Sequence, residues 1–167
     1  MVSGTPADCA RTALTTLCGE MPDLVISGIN AGSNLGMEIL YSGTFSAACE
    51  AASFGVRALA VSQFWGTMDY APAAEFTRRM VDKLDALDYP EKCVVNVNFP
   101  EGKAKGIRVT GLCAGNMPTS YRMLEQTDEK TRVYQLDRHH LTPRELQGDE
   151  KAVREGFVSI TPISYER

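Results

Sequence analysis

Short apolar runs alternate with segments of helical periodicity from residue 5 to residue 99, and this alternation limits the possible folds more than any other feature. The apolar runs lie at residues 23–27, 57–63 and 93–99. Such a strand–helix order is typical of a parallel sheet that carries helices on both faces. We therefore predict an α/β domain in which residues 23–27, 57–61 and 93–99 form neighbouring parallel strands.

Three helices are predicted around these strands from capping residues and apolar spacing. Thr5 and Pro6 suit an N-cap and a first helical position, Thr44 can cap a second helix, and Asp69 a third. The positions expected to face the core are Ala10, Ala13, Leu14, Leu17 and Cys18 in the first helix, Phe45, Ala48, Cys49 and Ala52 in the second, and Phe76, Met80, Leu84 and Leu87 in the third.

The remainder of the chain has weaker patterns. Residues 106–112 and 157–163 are apolar and predict two further strands. Residues 113–150 are polar and predict irregular structure. A segment of this length without a regular pattern is unusual inside a compact domain, so we expect residues 113–147 to extend from it and to contact a second copy.

Composition narrows the classes of partner and compartment. The formal net charge is −4 and the basic residues are scattered, so nucleic acid is not an expected partner. No stretch has the length of a membrane helix and no signal peptide is visible, so no membrane association is predicted. The five cysteines form no C-x-x-C pair, which favours reduced thiols in a cytosolic protein over a disulfide framework or a zinc site.

The stretch SGINAGSNLGMEILYSGT, residues 27–44, is a candidate site because of its position and its composition. Its glycines cost conformational entropy on folding, which is unusual without a function. It leaves the carboxyl end of a predicted parallel strand, where α/β sheets bind ligands. Its glycine spacing matches neither the dinucleotide fingerprint nor the P-loop.

The end of this stretch, Ser42-Gly43-Thr44, has the character of an anion site. A turn that contains glycine enters a helix N-terminus, where free N–H groups and the helix dipole favour a phosphate. Ser42 and Thr44 add hydroxyl donors. The alternative is that these two residues only cap the helix, and the residues alone favour neither interpretation.

Asparagines in and around the stretch also have two interpretations. Asn30 and Asn34 offer amide oxygens that could bind a hard cation such as Mg²⁺, although asparagine is common in loops for its turn chemistry. Asn96 and Asn98 alternate with valines and therefore share one face of a strand. They could form hydrogen bonds at the strand end or line a pocket.

Seven motifs, in order, resemble those of the SurE family of stationary-phase survival proteins, which are divalent-metal-dependent 5′/3′-nucleotidases. The resemblance runs from about residue 3 to residue 163 and is weakest across residues 113–147. The motifs are GTPADC, PDLVISGINAGSNLG, YSGTFSAACEAASFG, ALAVS, VNVNFP, KGIRVT and AVREGFVSITPI.

The resemblance implies a single Rossmann-like, three-layer α/β/α domain over residues 1–167, with a mostly parallel sheet. It also implies an extended arm or hairpin, placed at residues 113–147, that assembles a homodimer or homotetramer. The implied reaction is hydrolysis of nucleoside 5′- or 3′-monophosphates, and of other phosphate esters, with Mg²⁺ or Mn²⁺ as the cofactor.

The resemblance also implies roles for individual residues. In the family the metal is held by two adjacent aspartates, a serine and the asparagine of SGIN, and only the last has a counterpart here, Asn30. Ser42, Gly43 and Thr44 match the motif beside the phosphate. Gly32 and Asn34 belong to the same loop and would shape it.

One departure from the family pattern concerns the start of the chain. Family members begin with a strand that ends in Asn-Asp-Asp-Gly, and this chain starts close to the later GTPADC motif. We therefore expect a chain that is N-terminally truncated relative to the family, with the catalytic residues unassigned and the hydrolase activity absent or impaired. The alternatives are a phosphate- or nucleotide-binding remnant without hydrolysis, and a truncated gene product with no independent function.

Overall fold

A five-stranded sheet forms the centre of the protein in the computed structural model, which describes residues 1–84, 92–114, 120–128, 130–137 and 145–164. Its strands are β1 Leu24–Ala31, β2 Arg57–Gln63, β3 Cys93–Phe99, β4 Ile107–Val109 and β7 Val158–Ser164. Their order in the sheet is β1-β2-β3-β7-β4. All neighbours are parallel except β3 and β7. The predicted parallel pairing of β1, β2 and β3 is therefore confirmed.

Helices cover both faces of this sheet, as the strand–helix alternation predicts. Helix α2, Gly43–Ser53, packs its alanines on one face against Ala58, Ala60 and Val94. Helix α3, Ala71–Val81, lies on the other face, where Phe76 and Met80 join the second core cluster. The protein thus has the Rossmann-like three-layer arrangement. Leu87, predicted to extend the α3 stripe, lies outside the described residues.

The first helix begins as predicted but buries fewer of its apolar side chains than predicted. Helix α1, Pro6–Thr12, starts with a capping box in which Thr5 and Asp8 satisfy each other's backbone N–H groups. It continues into a π-helical turn, Ala13–Leu17. Of the expected apolar stripe, only Leu14 is buried, while Leu17 is 71% exposed.

Residues 113–150 contain regular structure, so the prediction of an irregular segment was wrong. Strands β5, Ser120–Gln126, and β6, Arg132–Asp137, form a separate antiparallel hairpin. A short helix, α4, spans Gly148–Arg154 and contacts β7. Polar and charged residues on both strands hide the alternation by which a half-buried strand is recognised.

No helix in the described part of the chain combines the length and the apolar character that a membrane crossing requires. Among the described residues the longest helices, α2 and α3, have 11 residues each, whereas a span needs about 20.

Candidate functional site

Strand β1 continues through the SGIN motif, so the expectation that the strand ends at residue 27 was wrong. The motif is part of the strand, although its pairing with β2 shifts register between Ser27 and Asn30. Gly28 has φ +135°, and a Cβ there would lie 2.3 Å from the carbonyl oxygen of Val61. Only glycine permits this approach between the two strands.

Asn30 lies at the carboxyl end of β1 and directs its amide into the following turn. Its Nδ2 donates a hydrogen bond to the carbonyl oxygen of Gly32 at 2.8 Å, which leaves the amide oxygen available to another partner. Gly32 has φ +137° and donates its own N–H to the carbonyl oxygen of Gln63. The turn is thus joined to the end of β2, and Asn30 lies at the sheet edge where ligands of α/β proteins bind.

The described residues do not form a metal site by themselves. None of them belongs to a group of three or more His, Cys, Asp or Glu side chains that could hold an ion. Asn30 offers one neutral amide oxygen, whereas Mg²⁺ and similar hard cations are bound through carboxylate oxygens, waters and phosphates. A divalent cation here would require further oxygen ligands.

Asn34 is buried, and four hydrogen bonds to the sheet below hold three of its polar atoms. Its N–H donates to Asn98 Oδ1 at 2.8 Å, and its carbonyl oxygen accepts from Asn96 Nδ2 and Asn98 Nδ2. Its side-chain nitrogen donates to Ser62 Oγ at 2.7 Å. These hydrogen bonds use the backbone and the Nδ2 of Asn34 and not its amide oxygen, so they fix the position of the loop, and the interpretation of Asn34 as a cation ligand stays a prediction.

The partners of Asn34 belong to a buried polar patch on the α2 face of the sheet. Asn96 and Asn98 share that face with Val94, and Ser159 and Thr161 pair beside them on β7. These residues form hydrogen bonds at the strand end, which was one of the two alternatives for Asn96 and Asn98. The apolar half of this face lies under α2, and its polar half lies under residues 32–41 between β1 and α2, which we call the glycine-rich segment.

Asp149 is a second anchor of the segment, and no pattern in the sequence indicates it. The residue is fully buried at the start of α4. Its carboxylate accepts hydrogen bonds from the N–H groups of Gly36 at 2.8 Å, Cys113 at 2.9 Å and Glu150 at 2.9 Å. Burial raises the pKa of Asp149 above its usual value, although these N–H groups act in the opposite direction. An aspartate in a first helical turn is common, and nothing local to it predicts a partner 113 residues away.

The Ser42-Gly43-Thr44 turn begins α2, and Ser42 rather than Thr44 is the N-cap. Ser42 Oγ accepts from the N–H of Phe45 at 3.0 Å, and the carbonyl oxygen of Ser42 accepts from the N–H of Ser46. The predicted cap at Thr44 was therefore wrong. The remaining N–H groups of the first turn, those of Gly43 and Thr44, are ones that a helix cannot satisfy internally.

Gly43 also has a packing role. A Cβ at this position would lie 2.8 Å from Cγ of Pro6, at the start of α1. The two helix N-termini thus approach closely at the turn. Close packing and anion binding are compatible, because the first uses the Cα side of Gly43 and the second uses its N–H.

A cavity of about 340 Å³ opens beside the glycine-rich segment. The described residues that line it do not include Asn30 or the Ser42-Gly43-Thr44 turn. They include Ser33, Leu35, Glu38, Phe64, Glu101 and Glu150. None of the predicted site residues is among the described residues that line this cavity, although Ser33 and Leu35 alternate with Gly32 and Asn34 along the chain.

Comparisons with known proteins agree with the motif order. The family model described as Survival protein SurE matches residues 1–119. A protein named 5′-nucleotidase SurE from Heliobacterium modesticaldum is 41% identical over 171 residues, and the match covers 99% of this chain and 62% of the relative. A protein of the same name from Pelotomaculum thermopropionicum is 40% identical, with 99% and 64% covered.

A solved structure gives the same result for the fold. The crystal structure of SurE protein from Aquifex aeolicus superimposes with a TM-score of 0.77 at 34% identity, covering 98% of this chain and 68% of that chain. This chain spans somewhat less than two thirds of the length of the two relatives named above. A family model that matches most of the chain, relatives of this identity and a shared fold lead to one conclusion: the chain belongs to the SurE family.

Proposed function

We propose that this chain provides the phosphate-binding part of a metal-dependent phosphomonoesterase that acts on nucleoside 5′- or 3′-monophosphates. The observation that supports this proposal is the turn at the start of α2, where the N–H groups of Gly43 and Thr44 have no acceptor within the helix. Two relatives are named 5′-nucleotidases, and a nucleoside monophosphate carries the dianionic group that such a turn suits.

The residues of the turn would act on the phosphate in two ways. The N–H groups of Gly43 and Thr44, with the hydroxyl of Thr44, donate hydrogen bonds to the phosphoryl oxygens. The N-terminal end of the α2 dipole stabilises the charge that accumulates there during ester cleavage. Ser42 keeps its oxygen engaged as the cap, and its O–H proton remains available as a donor.

Asn30 is the proposed contribution of this chain to a metal site. A divalent cation, when bound, supplies Lewis acidity and an activated water. The described residues contain no group of three or more His, Cys, Asp or Glu side chains that could hold such an ion, so the proposal requires further oxygen ligands. Asn30 would contribute its free amide oxygen, held in position by the hydrogen bond from its Nδ2 to Gly32.

We further propose that the protein is cytosolic and assembles as a homodimer or homotetramer through the β5–β6 hairpin, the described part of the expected arm at residues 113–147. Tyr121, Met123, Leu124 and Tyr134 are each at least 51% exposed on that hairpin. An isolated two-stranded hairpin is marginally stable in water, so a second copy that covers these side chains would stabilise it.

The test of the phosphate site is an amide NMR titration of the 167-residue chain with AMP and with inorganic phosphate. Both ligands should shift the resonances of Gly43 and Thr44, and adenosine without phosphate should not. Ser53→Ala, an exposed change at the other end of α2, should leave the affinity unchanged. Unmoved Gly43 and Thr44 resonances at saturating AMP would refute the phosphate site.

The hydrolytic part of the proposal needs a separate measurement, because a phosphate-binding protein without hydrolysis is the second candidate. The absence of an acidic cluster among the described residues favours that candidate for the chain alone. Phosphate release from AMP with Mn²⁺ or Mg²⁺ should be tested for this chain and for a chimera that adds the unmatched part of the Heliobacterium relative. Activity that Asn30→Ala abolishes supports hydrolysis, and binding without turnover in both proteins supports the second candidate.

A further inference from the structure

The carboxylate of Asp149 joins three segments that are far apart in the sequence. It accepts from the N–H of Gly36 through Oδ2, and from the N–H groups of Cys113 and Glu150 through Oδ1. The N–H of Asp149 itself donates to the carbonyl oxygen of Gly111 at 3.0 Å. One fully buried side chain therefore connects α4, the loop that follows β4, and the glycine-rich segment.

This site is specific for a carboxylate because every partner is a donor. A carboxylate offers two acceptor oxygens and no donor, whereas an asparagine would turn its NH₂ group toward at least one of the N–H groups. The position of Gly36 likewise requires its residue type. Its φ is +51°, and a Cβ there would lie 2.9 Å from the carbonyl oxygen of Cys113 and 3.0 Å from Glu150 Oε1. Both sides of the contact thus depend on their residue type.

The contact lies at the start of the element that leads to the proposed phosphate turn. Gly36 begins a 3-10 helix, Gly36–Tyr41, and at its end the N–H of Ser42 donates to the carbonyl oxygen of Ile39 at 3.1 Å. On the other side, Asn34 is fixed to β3 by Asn98. The segment is therefore fixed at residue 34 by the sheet and at residue 36 by α4, and it enters the turn through one short helix.

We propose that Asp149 is a positioning residue for the phosphate site. By holding the N–H of Gly36, its carboxylate fixes the 3-10 helix and thereby the Ser42-Gly43-Thr44 turn at its far end. This positioning role rests on the proposed function for the identity of the ligand that the turn binds. The mechanical link between Asp149 and the turn can be measured without any ligand.

The test compares Asp149→Asn with Val158→Ala, a variant of the buried core. Val158 is buried on β7 and has no hydrogen bond to the segment through its side chain. Without ligand, Asp149→Asn should shift the amide resonances of Gly43 and Thr44, and Val158→Ala should leave them in place. With phosphate added, Asp149→Asn should raise the Kd about tenfold, equivalent to about 1.4 kcal/mol, and Val158→Ala should change it less than twofold.

Two outcomes separate the inference from the proposed function. If phosphate never shifts Gly43 and Thr44 but Asp149→Asn does, the phosphate site fails and the positioning role stands. If Asp149→Asn leaves both resonances at their wild-type positions, the positioning role is overturned whatever the chain binds. Should Asp149→Asn not fold, the wild-type titration decides: phosphate must shift Gly36 together with the turn, and an unmoved Gly36 overturns the inference.

Discussion

Asn98 holds both backbone polar groups of Asn34, accepting its N–H at 2.8 Å and donating to its carbonyl oxygen at 3.0 Å. The two residues are 64 positions apart, and both are buried. This double contact ties the glycine-rich segment to the central strand β3. It makes the segment part of the folded core rather than a loop over its surface.

Asn98→Ala should lower the free energy of unfolding by about 1–3 kcal/mol, because the N–H of Asn34 would lose its buried acceptor. Urea denaturation measures the change. The matched control is Ser53→Ala, which removes a hydrogen bond to the carbonyl oxygen of Glu50 at an exposed site and should cost less than about 0.5 kcal/mol. Equal losses in the two variants would contradict the anchoring role of Asn98.

Gly28→Ala should destabilise the protein far more than Gly55→Ala, although both glycines have positive φ. A Cβ at residue 28 would lie 2.3 Å from the carbonyl oxygen of Val61, whereas nothing lies within 4 Å of a Cβ at residue 55. We expect the difference in unfolding free energy to exceed about 2 kcal/mol, the cost of overpacking at a fixed backbone. Thermal and urea unfolding of the two variants measure it, and similar losses would show that the β1–β2 contact relaxes.

These two sites show which features of the fold were predictable from the sequence. Apolar runs and capping residues predicted the order and direction of β1, β2 and β3, because periodicity is a local property. The true end of β1 was missed, since a strand that contains Gly28 has the composition of a loop. The reason for that glycine is the carbonyl oxygen of Val61, which no local pattern reveals.

The candidate site was predictable to a similar extent. The sequence predicts a helix start at Ser42, Gly43 and Thr44, but which hydroxyl caps the helix depends on a two-residue difference in the helix boundary. Asp149 could not have been found, because its importance comes from a contact with Gly36 across the fold. Motif resemblance identifies residues that act together, and it does not identify the residues that hold them in place.

Glu75 provides a pH-dependent prediction, because hydrogen bonds from Arg78 and Arg79 lower its pKa from 4.5 to about 2. A carboxyl whose pKa is lower in the folded state stabilises the fold above its unfolded pKa, and this contribution is lost as the pH falls through the folded pKa. The difference in urea midpoint between wild type and Glu75→Gln should therefore shrink from pH 4.5 toward pH 2. A carboxyl ¹³C titration should give the midpoint of Glu75 directly, and a value near 4.5 would contradict the ion pairs.

The exposed apolar side chains of the β5–β6 hairpin lead to a prediction about assembly. Leu124 is 53% exposed on β5, and Leu124→Glu would place a charge on the surface proposed to contact a second copy. Light scattering should show a wild-type oligomer and a smaller species for this variant, since burying an unpaired charge is costly. Met68→Glu, which changes a side chain that is 84% exposed outside the hairpin, should leave the oligomer intact. A monomeric wild type would refute assembly through the hairpin.

Variants at Ser42 and Thr44 should distinguish the helix-capping role of the turn from its proposed phosphate-binding role. Ser42→Ala removes the acceptor of the N–H of Phe45 and should lower the unfolding free energy by about 1 kcal/mol, the usual cost of losing an N-cap. Thr44→Ala removes no cap and should change stability by less than about 0.5 kcal/mol, yet it should weaken the binding of AMP because a hydroxyl donor to the phosphate is lost. Urea denaturation and an AMP titration on the same samples measure both quantities. If Thr44→Ala loses stability and keeps its affinity for AMP, then Thr44 is structural and the turn holds phosphate without its side chain.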